Sequence, residues 1–208
     1  MTTFDSVYEM TNPLTEIRRQ HFWEYFSGAT LNSRWNVTQV YLGGGTAPMS
    51  DSVDGGCVLT TAGGSDDGVE INFQNHRAYN PTGSVIIGSI KKGEINSYID
   101  FGFSGTIDGS NYNSAEVRMM NSGNFRLITG SSGGSSTTHS DLAIDLNWHT
   151  HKIECSITDT KLTIGGVLKI IKTTDRPNKK AQPAMSTWSL TDASAKHGYI
   201  NYCEAYNT

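Results

Sequence analysis

The chain has 208 residues, of which 36% are hydrophobic and 17% charged, and its formal charge is −4 at neutral pH. The absence of a basic block argues against nucleic acid as a partner, and no run approaches the ~18 apolar residues of a membrane helix. Area scaling lets a chain of this size bury roughly 70% of its extended surface, enough for one core and one domain. The apolar shortfall is made up by Gly, Ser, Thr and Asn, a composition that favours many strands joined by turns under a neutral polar surface.

Residues 1–27 differ from the rest. Met1-Thr2-Thr3-Phe4-Asp5 lacks the basic and apolar regions of a secretory signal, so either the protein is not exported by that route or its signal has been removed. Asn12-Pro13 has the residue types of a helix N-cap and first position. Leu14, Ile17, His21, Phe22 and Tyr25 follow at near-helical spacing. This predicts an arm or short helix over 13–26, either packed on a sheet edge or used as an anchor or for self-association.

From residue 28 the signals are β. Residues 35–41, 57–61, 69–74, 98–103, 115–119 and 124–128 read as short strands, most of them alternating apolar and polar side chains. The last two flank Asn121-Ser122-Gly123, a hairpin signal. Residues 84–90 are more continuously apolar, as in a strand covered on both faces. The Gly/Ser/Thr run 130–138 reads as a surface loop. Residues 151–157, 161–164, 167–170 and 199–206 complete about a dozen strands, the spacing of a sandwich or barrel. Cys57, Cys155 and Cys203 are odd in number and far apart, which argues for buried free thiols rather than a disulfide framework.

Three segments carry a family resemblance: the run Gly28-Ala29-Thr30-Leu31-Asn32-Ser33-Arg34-Trp35, the Trp148–Cys155 strand with Leu162-Thr163-Ile164-Gly165-Gly166 after it, and the closing Ile200–Thr208. In this order they resemble the first strands, the late hairpin and the last strand of the concanavalin A-like lectins and glucanases. The resemblance implies an all-β, two-sheet antiparallel jelly-roll sandwich over 28–208. The chain also resembles uncharacterised proteins of this fold among viral structural proteins.

Laminarinase-like hydrolases of this fold carry Glu-x-Asp-x-Glu on one strand, so that all three side chains share a face. The first Glu attacks the sugar and the last is acid/base, a retaining arrangement. This chain has Glu70-Ile71-Asn72-Phe73-Gln74. Glu70 matches the nucleophile, Asn72 replaces the Asp and Gln74 replaces the acid/base, and an amide delivers no proton. Without the resemblance, the three are the solvent face of an amphipathic strand. Both readings argue against catalysis. A lyase is disfavoured by the missing Arg-x-Glu-Leu pattern, and a polyanionic substrate by the low overall charge.

His149 and His151 share a strand face and are weak metal candidates, with His139 or Asp141 as a third ligand; packing is the alternative. Asp66 and Asp67 sit in a Gly-rich loop where calcium is conceivable, with ordinary turn chemistry as the alternative. Trp188 and Tyr79, with Tyr202 and Glu204 of the last strand, are the candidates for stacking on and bonding sugars; for the first two the alternative is a core role. No catalytic residue and no cofactor is expected. The sequence reading is a non-enzymatic, lectin-like virion surface protein, such as a capsid decoration or fibre component. Its expected partners are other virion proteins, sister copies and surface glycans. A cellular carbohydrate-binding module, a glycoside hydrolase and a polysaccharide lyase are the alternatives.

Overall fold

The computed structural model describes residues 10–12, 15–19, 21–27, 30–41, 45–47, 56–64, 67–73, 79–104, 113–120, 123–131, 134–189 and 194–208. These form strands and no helix. In chain order they are β1 (Met10–Asn12), β2 (Thr15–Arg19), β3 (His21–Tyr25), β4 (Asn36–Tyr41), β5 (Gly45–Thr46), β6 (Cys57–Thr61), β7 (Asp67–Asn72), β8 (Ser84–Lys92) and β9 (Tyr98–Ser104). After them come β10 (Ala115–Met119), β11 (Asn124–Ser131), β12 (Gly134–Ala143), β13 (His149–Cys155), β14 (Thr160–Ile164), β15 (Val167–Lys172), β16 (Gln182–Trp188) and β17 (His197–Asn207).

Two antiparallel sheets pack face to face, giving the expected jelly-roll sandwich. The seven-stranded sheet runs β12-β11-β10-β9-β16-β7-β4. The eight-stranded sheet runs β15-β14-β13-β8-β17-β6-β5, with β3 also paired to β17. Alternation within each strand sends one set of side chains into the space between the sheets. Ile99, Phe101 and Phe103 of β9, Val117 of β10, Phe125 and Leu127 of β11 and Met185 of β16 meet Ile86 and Ile90 of β8, Ile153 of β13 and Cys203 of β17 in one core. The sheets pack tightly where Gly88 lies under the ring of Phe101; a Cβ built at Gly88 would fall 2.3 Å from Phe101 Cζ.

The expected helix over 13–26 is not formed, since Thr15–Arg19 and His21–Tyr25 are strands. The near-helical spacing is outweighed by β-favouring Thr15, Ile17, Phe22, Trp23 and Tyr25 and by an open edge on β17, where Phe22 pairs with Ala205. Phe22 and Phe26 enter the core, so the sandwich begins by His21 and not at residue 28. The Gly/Ser/Thr run is also not a loop. Ser131 pairs with Gly134 and Thr129 with Ser136, so β11 and β12 form a hairpin. Composition misleads there because β12 is an edge strand with largely exposed side chains, needing backbone pairing but little apolar content. Residues 84–90 lie at the centre of their sheet, but Ile87 and Ser89 are only half-buried on its outer face, so that strand is not covered on both sides.

Cys57, Cys155 and Cys203 are buried and free. Burial pushes the thiols of Cys57 and Cys155 up to about 12, so they are packing residues and not nucleophiles.

Candidate active site

On the outward face of the seven-stranded sheet, the pairing register lines up Thr38, Glu70, Ser186, Asp100, Arg118, Arg126 and His139 in one row across the strands. The next row holds Asn36, Asn72, Ala184, Gly102, Glu116, Ile128 and Thr137. On the central strands these residues alternate with core residues. Glu70 stands between Val69 and Ile71, Asp100 between Ile99 and Phe101, and Glu116 between Ala115 and Val117, all six of them buried. Three carboxyl groups from three different strands therefore share one face.

Their environments differ. Asp100 accepts two hydrogen bonds from Arg118, from Nε at 2.7 Å and from Nη2 at 2.6 Å, so both its oxygens are engaged. The same guanidinium lies 5.2 Å from the Trp188 ring centre, and Trp188 packs on Tyr98 at 4.4 Å. Glu70 accepts a 2.7 Å bond from Asn72 Nδ2, which also reaches Thr38 Oγ1 at 3.2 Å. Burial raises the Glu70 carboxyl above its ordinary range, opposed by the Asn72 bond and reinforced by the charge of Asp100. Glu116 is displaced furthest: burial first, then the charge of Asp100 and more weakly that of Glu70, push it up to about 8 against the pull of Arg118 and a bond from Ser104. A carboxyl whose affinity for its proton is raised by burial and by the charge of neighbouring carboxylates is the pattern of an acid/base site.

The sequence reading found Glu70 and Asn72 but not the rest of the site. The Asn72 amide donates to Glu70 at 2.7 Å and so orients it. Gln74 lies outside the described residues. Alternate positions of one strand do not reveal Asp100, Glu116 and Arg118, because the sheet brings them to Glu70 from β9 and β10. The available signal is that Asp100 is the charged outward residue of β9 and Glu116 and Arg118 are those of β10, each alternating with apolar residues.

The proposed sugar-binding residues do not form one site. Tyr79 is a core residue, 3% exposed, packed on Phe103 at 5.5 Å. Trp188 is 7% exposed beneath Arg118; it borders the acid row as a support and not as an open platform. Tyr202 and Glu204 lie on the outer face of the other sheet, where Tyr202 OH donates to Glu204 at 2.5 Å and His21 Nε2 lies 2.8 Å from the same carboxylate.

Among the metal candidates, Asp66 lies outside the described residues. Asp67 accepts the Gly64 N–H at 2.5 Å, a turn contact. His149 and His151 do share the inward face, with ring centres 6.2 Å apart. His149 Nε2 lies 2.8 Å from Asp145 Oδ1. His151 is fully buried beside Phe125, without a hydrogen-bond partner for either ring nitrogen among the described residues. Among the described residues no group of three or more His, Cys, Asp or Glu is placed to hold a metal ion.

Burial, helped by the charge of His149, lowers His151 to about 3. The unfolded chain takes up this proton near the ordinary value of 6.5, which the folded chain refuses until about 3. Stability should therefore fall with pH across that window, by up to about 1.4 kcal/mol per pH unit from this residue. Urea unfolding at neutral and mildly acidic pH should show a smaller loss in His151→Phe than in wild type; equal losses would count against it.

Neither a protein-family model nor a curated protein sequence matches this chain. Solved structures do match it in fold. A Bacillus licheniformis β-glucanase superimposes with a TM-score of 0.66 at 16% identity, over 90% of this chain and 98% of that one. A prokaryotic β-1,3-1,4-glucanase (lichenase) from a mouse hindgut metagenome gives 0.66 at 13% identity, over 90% and 98%. Apo Crh5 transglycosylase gives 0.62 at 13% identity, over 90% and 84%. At these identities the likeness carries the fold, the concanavalin A-like jelly roll, and brings no link to a viral particle. It overturns the expectation that the chain is not an enzyme: the architecture is that of glucanases and transglycosylases along nearly their whole length, and the expectation had rested on the acids of a single strand.

Proposed function

We propose that this chain is a glycoside hydrolase or transglycosylase acting on a polysaccharide laid across the outward face of the seven-stranded sheet. The observation that carries this reading is the placement of Glu116, Asp100 and Glu70 from three strands on one face of the sheet, where burial and its neighbours raise the Glu116 carboxyl to about 8. Departure of a glycosidic oxygen needs a proton from a positioned acid, and Glu116 is that acid. Asp100 cannot act as base or nucleophile while Arg118 occupies both its oxygens. Glu70, held by the Asn72 amide, supplies the second carboxylate. Ser104, Ser186, Thr38 and Asn36 bring hydroxyls and an amide to the same face, the groups that bond sugar hydroxyls. The glucanases and the transglycosylase of the same fold support the reaction class.

Purified protein incubated separately with mixed-linkage β-glucan, laminarin, a sulfated galactan and a polyuronate should yield new reducing ends or transferred chains from at least one. The rate should fall as pH rises through about 8, where Glu116 loses its proton. Failure of both products with all four polymers would overturn the assignment.

A further inference from the structure

The row across the sheet changes sign along its length. Glu70 and Asp100 occupy one side; Arg118, Arg126 and His139 succeed one another on β10, β11 and β12. Arg118 is neutralised by the bidentate bond to Asp100. Arg126 is partly buried, and its Nε is shielded from solvent with no hydrogen-bond partner among the described residues. A guanidinium stays charged at any physiological pH, and a buried N–H without an acceptor is costly.

Among the described residues no carboxylate bonds Arg126: Asp141 on β12 is bridged to Lys169 at 3.1 Å, and burial and neighbouring charge raise the Glu116 carboxyl above its ordinary range. His139, paired directly opposite Arg126, is exposed and extends the donor row toward the sheet edge. The β9 and β11 strands are two spacings apart, about 10 Å, so a polymer crossing the strands at the acid row passes over Arg126 at a neighbouring position.

We propose that Arg126, flanked by Arg118 and His139, forms a subsite for a negatively charged substituent of the substrate, a carboxylate or sulfate on the sugar, so that the polymer is an acidic polysaccharide. This rests on the reading of that face as the polysaccharide site. The low net charge of the whole chain argues against such a substrate, but the deciding charge is local: one guanidinium on the binding face whose Nε has no partner among the described residues.

The test is binding, measured by titration calorimetry, of three oligosaccharides: a sulfated galactan fragment, a uronate fragment and a neutral β-glucan fragment. At least one anionic fragment should bind about tenfold or more tightly than the neutral one and weaken with salt; which one binds identifies the substituent. Arg126→Gln should remove that preference and Arg126→Lys should restore part of it, with neutral binding and thermal unfolding unchanged. Preference for the neutral fragment, or anionic binding indifferent to Arg126→Gln, would overturn the subsite. Turnover of neutral polymers alone, indifferent to Arg126, would leave the enzyme assignment standing and sink this one. Arg126-dependent anionic binding without turnover of any polymer would support the subsite and sink the enzyme assignment.

Discussion

Glu116→Gln is expected to lower turnover by about 10²–10⁴-fold and to abolish the decline in rate at alkaline pH. Glutamine keeps the shape of the side chain and its reach to Ser104, but has no proton to give. The pH dependence follows from the direction of the shift. Burial and the neighbouring carboxylates hold Glu116 protonated until about 8, so wild-type activity should be retained below that pH and fall above it. The linked effect on stability has the opposite sense to a loss of fold. A carboxyl whose folded value is raised from 4.5 stabilises the fold only at low pH, and that contribution fades as pH rises toward about 8. The glutamine variant should therefore be at least as stable as wild type at alkaline pH. Initial rates and thermal unfolding of both proteins on either side of pH 8 check this. A variant that retains wild-type turnover would remove Glu116 from the mechanism.

The second large effect concerns the contact that holds the sheets together. Phe101, 1% exposed, sits over Gly88 at the middle of the core. Phe101→Ala should cost about 3–5 kcal/mol, the lost transfer energy of the ring plus the cavity it leaves. Gly88→Ala places a methyl 2.3 Å from Phe101 Cζ and should cost about 1–3 kcal/mol by overpacking. The two should not add. With the ring gone, the new methyl occupies part of the cavity, so the double variant should be more stable than the sum by about 1 kcal/mol or more. Urea unfolding of the four proteins gives this coupling directly. Additive costs would show that the sheets do not meet at this pair. The site makes the contact matter, because Phe101 lies next to Asp100 in the chain and fixes which way that carboxylate faces.

Much of this was legible in the sequence. Alternation assigns Ile99, Phe101 and Phe103 inward and Asp100 outward from the β9 sequence alone, and does the same for Glu70 and Glu116. The hairpin at Gly123, the buried cysteines and the shared face of His149 and His151 are equally local. Errors arose where a neighbour distant in sequence outweighed local preference. The spacing of Leu14, Ile17, His21 and Phe22 suits a helix, yet the free edge of β17 recruits His21–Tyr25 as a strand. The Ser/Thr run after Gly130 has the composition of a loop, yet β11 pairs with it.

The sequence alone determined a sandwich of amphipathic strands and the face on which each side chain lies, because side-chain direction in a strand is a period-two property of the local backbone. Only the tertiary structure decided that Glu70, Asp100, Glu116 and Arg126 stand on one face of one sheet. Strand order depends on pairings between segments far apart in the chain: β16 is inserted between β7 and β9, and no local pattern encodes that insertion. The same long-range pairing leaves the Nε of Arg126 without a partner among the described residues and supplies the shielding and neighbouring charge that hold the proton on Glu116.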